Sequence, residues 1–179
     1  MIGVRGIPRD SEISKYLAGA HLYDAFEVPV AGSGRSALQI YIDLMSATPG
    51  WVNGLLDARD RLVGLFGLKN LGHLDNIDPS RPVESYRPGD HIGIFSILSI
   101  SDREVVLLEA DNHLDAKVSL CKTREGENGA VVFSTVIHIR NLFGRAYMVF
   151  VWPLHKLIVP ALLARSIGGG EGGASIRNK

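Results

Sequence analysis

The longest apolar run in the chain, Leu142–Ile167 (LFGRAYMVFVWPLHKLIVPALLARSI), constrains the fold most. A helix so apolar around its circumference has to be received by other apolar surface. At 100° per residue Arg145, His155 and Lys156 fall on one broad side with Val149, Trp152, Val159 and Leu163. The opposite side carries Tyr147, Phe150, Leu154, Leu157, Ile158 and Ala161. Cover on more than one side is therefore expected. Pro153 and Pro160 each remove a backbone donor and should bend the helix, which suits one laid across a curved sheet. A strand over Ala146–Trp152 is the competing local reading, because Val, Phe and Tyr are frequent there. A bilayer span needs about 18–20 apolar residues in sequence. His155, Lys156 and the two prolines interrupt this run, so no integral membrane span is expected. Helices that lie on a bilayer usually show a strong basic face. The basic groups here are scattered, which points to core packing.

With 179 residues, 46% hydrophobic and 21% charged, the chain can bury one sizeable core. Residues 1–167 are read as a single domain. The stretch from Gly168 (GGGEGGASIRNK) is too Gly-rich to pack and is expected to be disordered. The formal net charge is zero, which removes the basic footprint of a nucleic-acid partner. The single Cys121 excludes an internal disulfide framework and a cysteine-rich metal site, and reads as a buried strand cysteine. No signal segment opens the sequence, so a cytoplasmic location is expected.

Asp10-Ser11 could cap a short helical turn through Leu17. Ala20–Val30 alternates as a first strand. Gly32-Ser33-Gly34-Arg35-Ser36-Ala37 then matches G-x-G-x-x-A, a pattern that can bring backbone close to a pyrophosphate at a helix N-terminus. A dinucleotide site also needs a prompt second parallel strand. Here two helices follow, so the plainer reading is a turn with Ser33 or Ser36 as a helix cap. The first helix covers 36–47. Thr48-Pro49 should start the second, which runs to Leu68 with Trp51, Leu55, Leu62, Leu65 and Phe66 on its apolar side. Residues 69–89 form a long connection, either a lid or a loop holding a short strand at Val83–Tyr86.

From Asp90 the period becomes two. Strands are expected at His91–Ile100, Arg103–Asp111, Leu114–Arg124 and Gly129–Arg140, joined by turns at Ser101-Asp102 and Asn112-His113 and a longer loop at Glu125–Asn128. Tight hairpins pair Ile100 with Arg103, Ile94 with Glu109, Glu109 with Ala116, Ala116 with Ile137, and Asp115 with His138. One face then collects Ile92, Ile94, Leu98, Val105, Leu107, Leu114, Ala116, Val118, Leu120, Phe133, Ile137 and Ile139, with Glu109, Asp111 and Thr135 among them. The other collects Phe95, Ile97, Val106, Leu108, Asp115, Lys117, Ser119, His138 and Arg140. The first face is expected beneath the last helix. A carboxylate there either marks a polar spot suited to proton transfer or sits at the open sheet end in water. Asp115 and His138 read as a cross-strand ion pair, because neither a nucleophile elbow nor metal-ligand spacing accompanies them. His155 reads as a partly exposed helix residue.

The stretches YDAFEVP (23–29), LLDARDRLVGLFGLK (55–69), GDHIGIFSILS (89–99), DNHLDAKVSL (111–120) and NLFGRAYMVFVWPLHKLIVPALL (141–163) resemble an uncharacterised bacterial family, a domain of unknown function. Its members occur alone or C-terminal to epimerase-like NAD-binding proteins. It is placed within the START-like, or polyketide-cyclase-like, superfamily. The resemblance implies an α+β helix-grip fold: a curved antiparallel sheet wrapped around a long C-terminal helix, with two helices after the first strand. It also implies an apolar cavity for lipids, sterols, polyketides or similar molecules, and a functional link to a reductase-like protein. It carries over no catalytic residue.

The leading expectation is therefore a binder of a small hydrophobic molecule, without a cofactor. Trp51, Ile94, Leu107, Val118, Thr135, Ile137, Tyr147 and Phe150 would line its pocket, with Glu109 or Asp111 orienting a polar group. The alternatives are a cyclase- or dehydratase-type enzyme using Glu109 or Asp111, and an interaction module or homodimer using Phe95, Ile97, Val106 and Leu108.

Overall fold

The computed structural model describes residues 3–4, 6–30, 34–64, 74–124 and 129–168. The elements are β1 (Gly3–Val4), β2 (Leu22–Pro29), α1 (Ala37–Ser46), α2 (Gly50–Gly64), β3 (His91–Ile92), β4 (Phe95–Ile100), β5 (Glu104–Ala110), β6 (Leu114–Arg124), β7 (Ala130–Ile139) and α3 (Leu142–Gly168). Short 3₁₀ turns lie at Glu12–Tyr16 and Val83–Ser85, the latter where a strand was one expectation. The strands form one antiparallel sheet in the order β1-β2-β7-β6-β5-β4-β3. With α3 laid on the inner face and two helices inserted after β2, this is an α+β helix-grip arrangement. Residues 31–33 at the glycine motif, 65–73 with the expected helix end at Leu68 and its apolar Leu65 and Phe66, the expected loop 125–128 and the Gly-rich tail from 169 onward lie outside the described residues.

Local signals place the helices. Ser36 caps α1 by accepting a hydrogen bond from the Gln39 amide at 3.2 Å. Thr48 closes α1 instead of opening α2: its hydroxyl donates to the Met45 carbonyl at 2.5 Å. Asn141 opens α3, its Oδ1 accepting the Gly144 amide at 2.9 Å. Gly144 is required there, because a Cβ would run into the His113 carbonyl and the Ile139 side chain. The absence of a side chain lets α3 start directly against the β5–β6 turn.

The expected pairing holds from β5 to β7: Glu109 faces Ala116, Ala116 faces Ile137, and Asp115 faces His138. It fails at β4. The first turn is one residue further on, since the Ser101 amide bonds the Glu104 carbonyl at 2.9 Å and Ile100 pairs with Val105. A bulge between Ile97 and Ser99 then shifts the register back, pairing Ile97 with Leu107. Phe95 and Ile97 therefore join the inner core and Leu98 the other face, the reverse of expectation. Ile94 falls out of the ladder. Gly93, at φ +55°, turns the chain between β3 and β4, and a Cβ there would press on the Leu74 carbonyl.

The outer face is not a free surface for a homodimer through Phe95, Ile97, Val106 and Leu108. The 3₁₀ turn covers its centre, with Ile13 packed on Val106 and Val136, all three fully buried. Glu104 locks this cover in place. Its carboxylate accepts the Glu12 amide at 2.6 Å, the Ile13 amide at 3.2 Å and the Ser119 hydroxyl at 2.6 Å. Asp115 pairs with Arg140 at 2.7 Å, while His138 turns to the Ala18 carbonyl at 3.2 Å. The expected Asp115–His138 ion pair is thus replaced, because the guanidinium reaches Asp115 and the imidazole finds a backbone acceptor. Cys121 is buried in β6, and burial, followed by the Glu104 charge, pushes its thiol up to about 11.

Glu104→Gln keeps the shape of this cap but removes the charge shared by three donors. It is expected to lower the unfolding free energy by about 1.5–3 kcal/mol, read as a lower urea midpoint at unchanged slope.

Candidate functional site

The inner face of β2 and β4–β7 is apolar at alternate positions, so α3 and α1 must cover it. α3 buries Met148, Val159, Leu162 and Leu163 against this face and α1, leaving a gap along its inward side. The gap is a cavity of about 220 Å³ walled by α1, α2, α3 and β4–β7. Its lining is mostly apolar, including Tyr41, Leu56, Phe95, Val118, Phe133 and Ile158. That volume lies a little below the ~300–1,000 Å³ common for ligand pockets, which suits a small molecule.

Polar groups reach the cavity at two places. Near the start of α3, Arg59 of α2 donates through Nε to the Tyr147 hydroxyl at 2.9 Å and pairs with Asp60 at 2.6 Å. Burial works against the Arg59 charge, but Asp60 and Tyr147 outweigh it and its pKa is raised. Burial raises the Tyr147 phenol, with Arg59 opposing, so it is a neutral hydrogen-bonding group. Glu109 and Asp111 line the same end. Asp111 is partly committed to the hairpin, where its Oδ1 accepts the His113 amide at 2.6 Å and the Leu114 amide at 2.9 Å.

The second place lies about two turns along α3, roughly 12 Å away. There His155 Nε2 sits 3.3 Å from Asp24 Oδ1 of β2 and 3.3 Å from Thr135 Oγ1 of β7. Trp152 stacks on the imidazole with ring centroids 5.1 Å apart, fixing the ring plane. Asp24 Oδ2 is buried without a hydrogen-bond partner among the described residues. A carboxylate oxygen accepts, so the imidazole is the donor in this contact. The arrangement offers hydrogen-bonding groups at a mostly apolar wall. Among the described residues no group of three His, Cys, Asp or Glu side chains is placed to hold a metal ion.

Of the residues expected from the sequence, Ile94, Glu109, Asp111, Val118, Thr135, Ile137 and Tyr147 line the cavity. Trp51, Leu107 and Phe150 do not. Trp51 is 50% exposed, because α2 turns Val52, Leu55, Leu56 and Arg59 inward instead. Leu107 is fully buried in the packed core of the sheet. Phe150 is 75% exposed, because α3 turns Trp152 and His155 toward the sheet. His155 is partly exposed, as expected, but it also lines the cavity, and Asp24 behind it was missed. Signals for both existed. Asp24 alternates with Phe26 and Val28, and His155 shares a helix side with Trp152, Val159 and Leu163. β2 pairs antiparallel with β1 and β7, so the prompt parallel strand that a dinucleotide site needs does not lie beside it among the described residues.

The fold and cavity define a helix-grip protein with an internal apolar compartment. Residues 16–162 match the family described as "Protein of unknown function (DUF2867)", and the chain belongs to that family. No curated protein matches the chain.

Leu107→Ala tests the distinction between core and cavity wall. It is expected to cost about 2–5 kcal/mol in chemical unfolding, with no change in what the folded protein binds.

Proposed function

We propose that this protein is a START-like binder of one small, mostly apolar molecule, seated between α3 and the sheet with a polar atom held at His155 and Thr135. The observation that carries this reading is an apolar cavity whose wall includes an imidazole positioned by Asp24 and stacked by Trp152. Few polar contacts suffice to orient a ligand in such a pocket. The resemblance to START-like proteins supports the same class of ligand, and the fusions of the close family to epimerase-like NAD-binding proteins support a functional link to a reductase-like protein. Native mass spectrometry of the protein as purified, followed by denaturation, should release one small hydrophobic molecule per chain. Val118→Trp fills the cavity from β6 and should abolish that binding in a folded protein. His155→Phe should weaken it about tenfold, or about 1.4 kcal/mol. A clean apo mass, with no thermal shift from a panel of short-chain alcohols, acids and aromatics, would sink the reading.

The cyclase- or dehydratase-type reading keeps one specific support: Glu109 brings a carboxylate to the same apolar wall. On that reading Glu109→Gln retains the bound molecule but ends its turnover. Identical product profiles from wild type and variant, followed by mass spectrometry of the released molecule, would count against it.

A further inference from the structure

The outer face of α3 is apolar and uncovered. Leu142 is 79% exposed, Val149 69%, Phe150 75% and Leu157 66%. Together with exposed Ala146, Pro153 and Leu154 they form one stripe at helical spacing. The helix Leu142–Ala164 is long and apolar enough to cross a bilayer, yet only 22% of its most apolar window is buried. The sheet and α1 cover its inward sides, and this outward side has no cover among the described residues. Exposed Arg145 and Lys156 lie on the same flank of the stripe, about three turns apart. No Asp or Glu occurs in α3.

We propose that α3 seats this protein on an anionic bilayer surface, with the stripe at the acyl boundary and Arg145 and Lys156 at the headgroup phosphates. Charge complementarity selects this occupant. A second copy pairing stripe to stripe would bring two basic flanks together with no α3 acid to answer them, whereas anionic headgroups do. The helix lies on the surface and does not cross it. Its other face is committed to the sheet through Met148, Val159, Leu162 and the His155–Asp24 contact. The inference does not depend on what the cavity holds.

The test is co-sedimentation with vesicles of phosphatidylcholine containing phosphatidylglycerol, against phosphatidylcholine alone, at low and high salt. Wild type is expected to bind the anionic vesicles, and to bind them more weakly at high salt. Phe150→Glu and Leu157→Glu, at exposed positions where folding should be untouched, are expected to lose at least tenfold in apparent affinity with unchanged thermal midpoints. Arg145→Glu with Lys156→Glu should remove the preference for anionic lipid. Three outcomes overturn the proposal: no binding to anionic vesicles, equal binding by wild type and the stripe variants, or a stripe-dependent dimer in sedimentation velocity without vesicle binding.

Discussion

The polar contact that His155 of the last helix makes with the sheet orients the rest of the arrangement. α3 is apolar around most of its circumference, so hydrophobic burial alone has little preference for one rotation about its axis over another. His155 removes that freedom. Its ring reaches Asp24 on β2 and Thr135 on β7, two strands that are themselves paired. A buried carboxylate left without this partner would be costly, so rotations that turn His155 outward are penalised. Gly144 imposes a second condition at the helix start, where α3 approaches the His113 carbonyl too closely for any side chain.

Once rotation and starting position are set, both surfaces of α3 follow. The inward side presents Met148, Trp152, His155, Val159 and Leu162, and the space they leave is the cavity. The outward side presents Leu142, Val149, Phe150 and Leu157 to solvent. The cavity and the exposed stripe are two consequences of one constraint. A helix with a clean polar face would have produced neither a stripe nor any need for a polar anchor to set its rotation.

The sheet shows how locally a register can be lost and restored. Moving the β4–β5 turn by one residue shifts each β4 partner by two and leaves its face unchanged. The one-residue bulge near Leu98 is what flips the side chains beyond it. Phe95 and Ile97 thereby reach the core, and Leu98 joins Val106 beneath the N-terminal segment. Nothing in the alternation of FSILSI distinguishes these outcomes, because its apolar residues could serve either face. In β6 and β7 the polar residues break that degeneracy, and there the pattern sufficed.

The sequence by itself determined the α+β class, the antiparallel meander, the β5–β7 register and most of the cavity wall on those strands. These are properties of neighbouring segments, fixed by turn chemistry and a period of two. It also carried the family resemblance. Only the tertiary structure decided the rotation of α3, the inward placement of His155, the role of Asp24 and the capping of the N-terminal turn by Glu104. The decisive contacts join residues far apart in sequence, Ile13 with Glu104 at 91 positions and Asp24 with His155 at 131. Periodicity within a segment states which residues share a side. It does not state which side another segment will cover, because that choice depends on the summed burial and pairing of both.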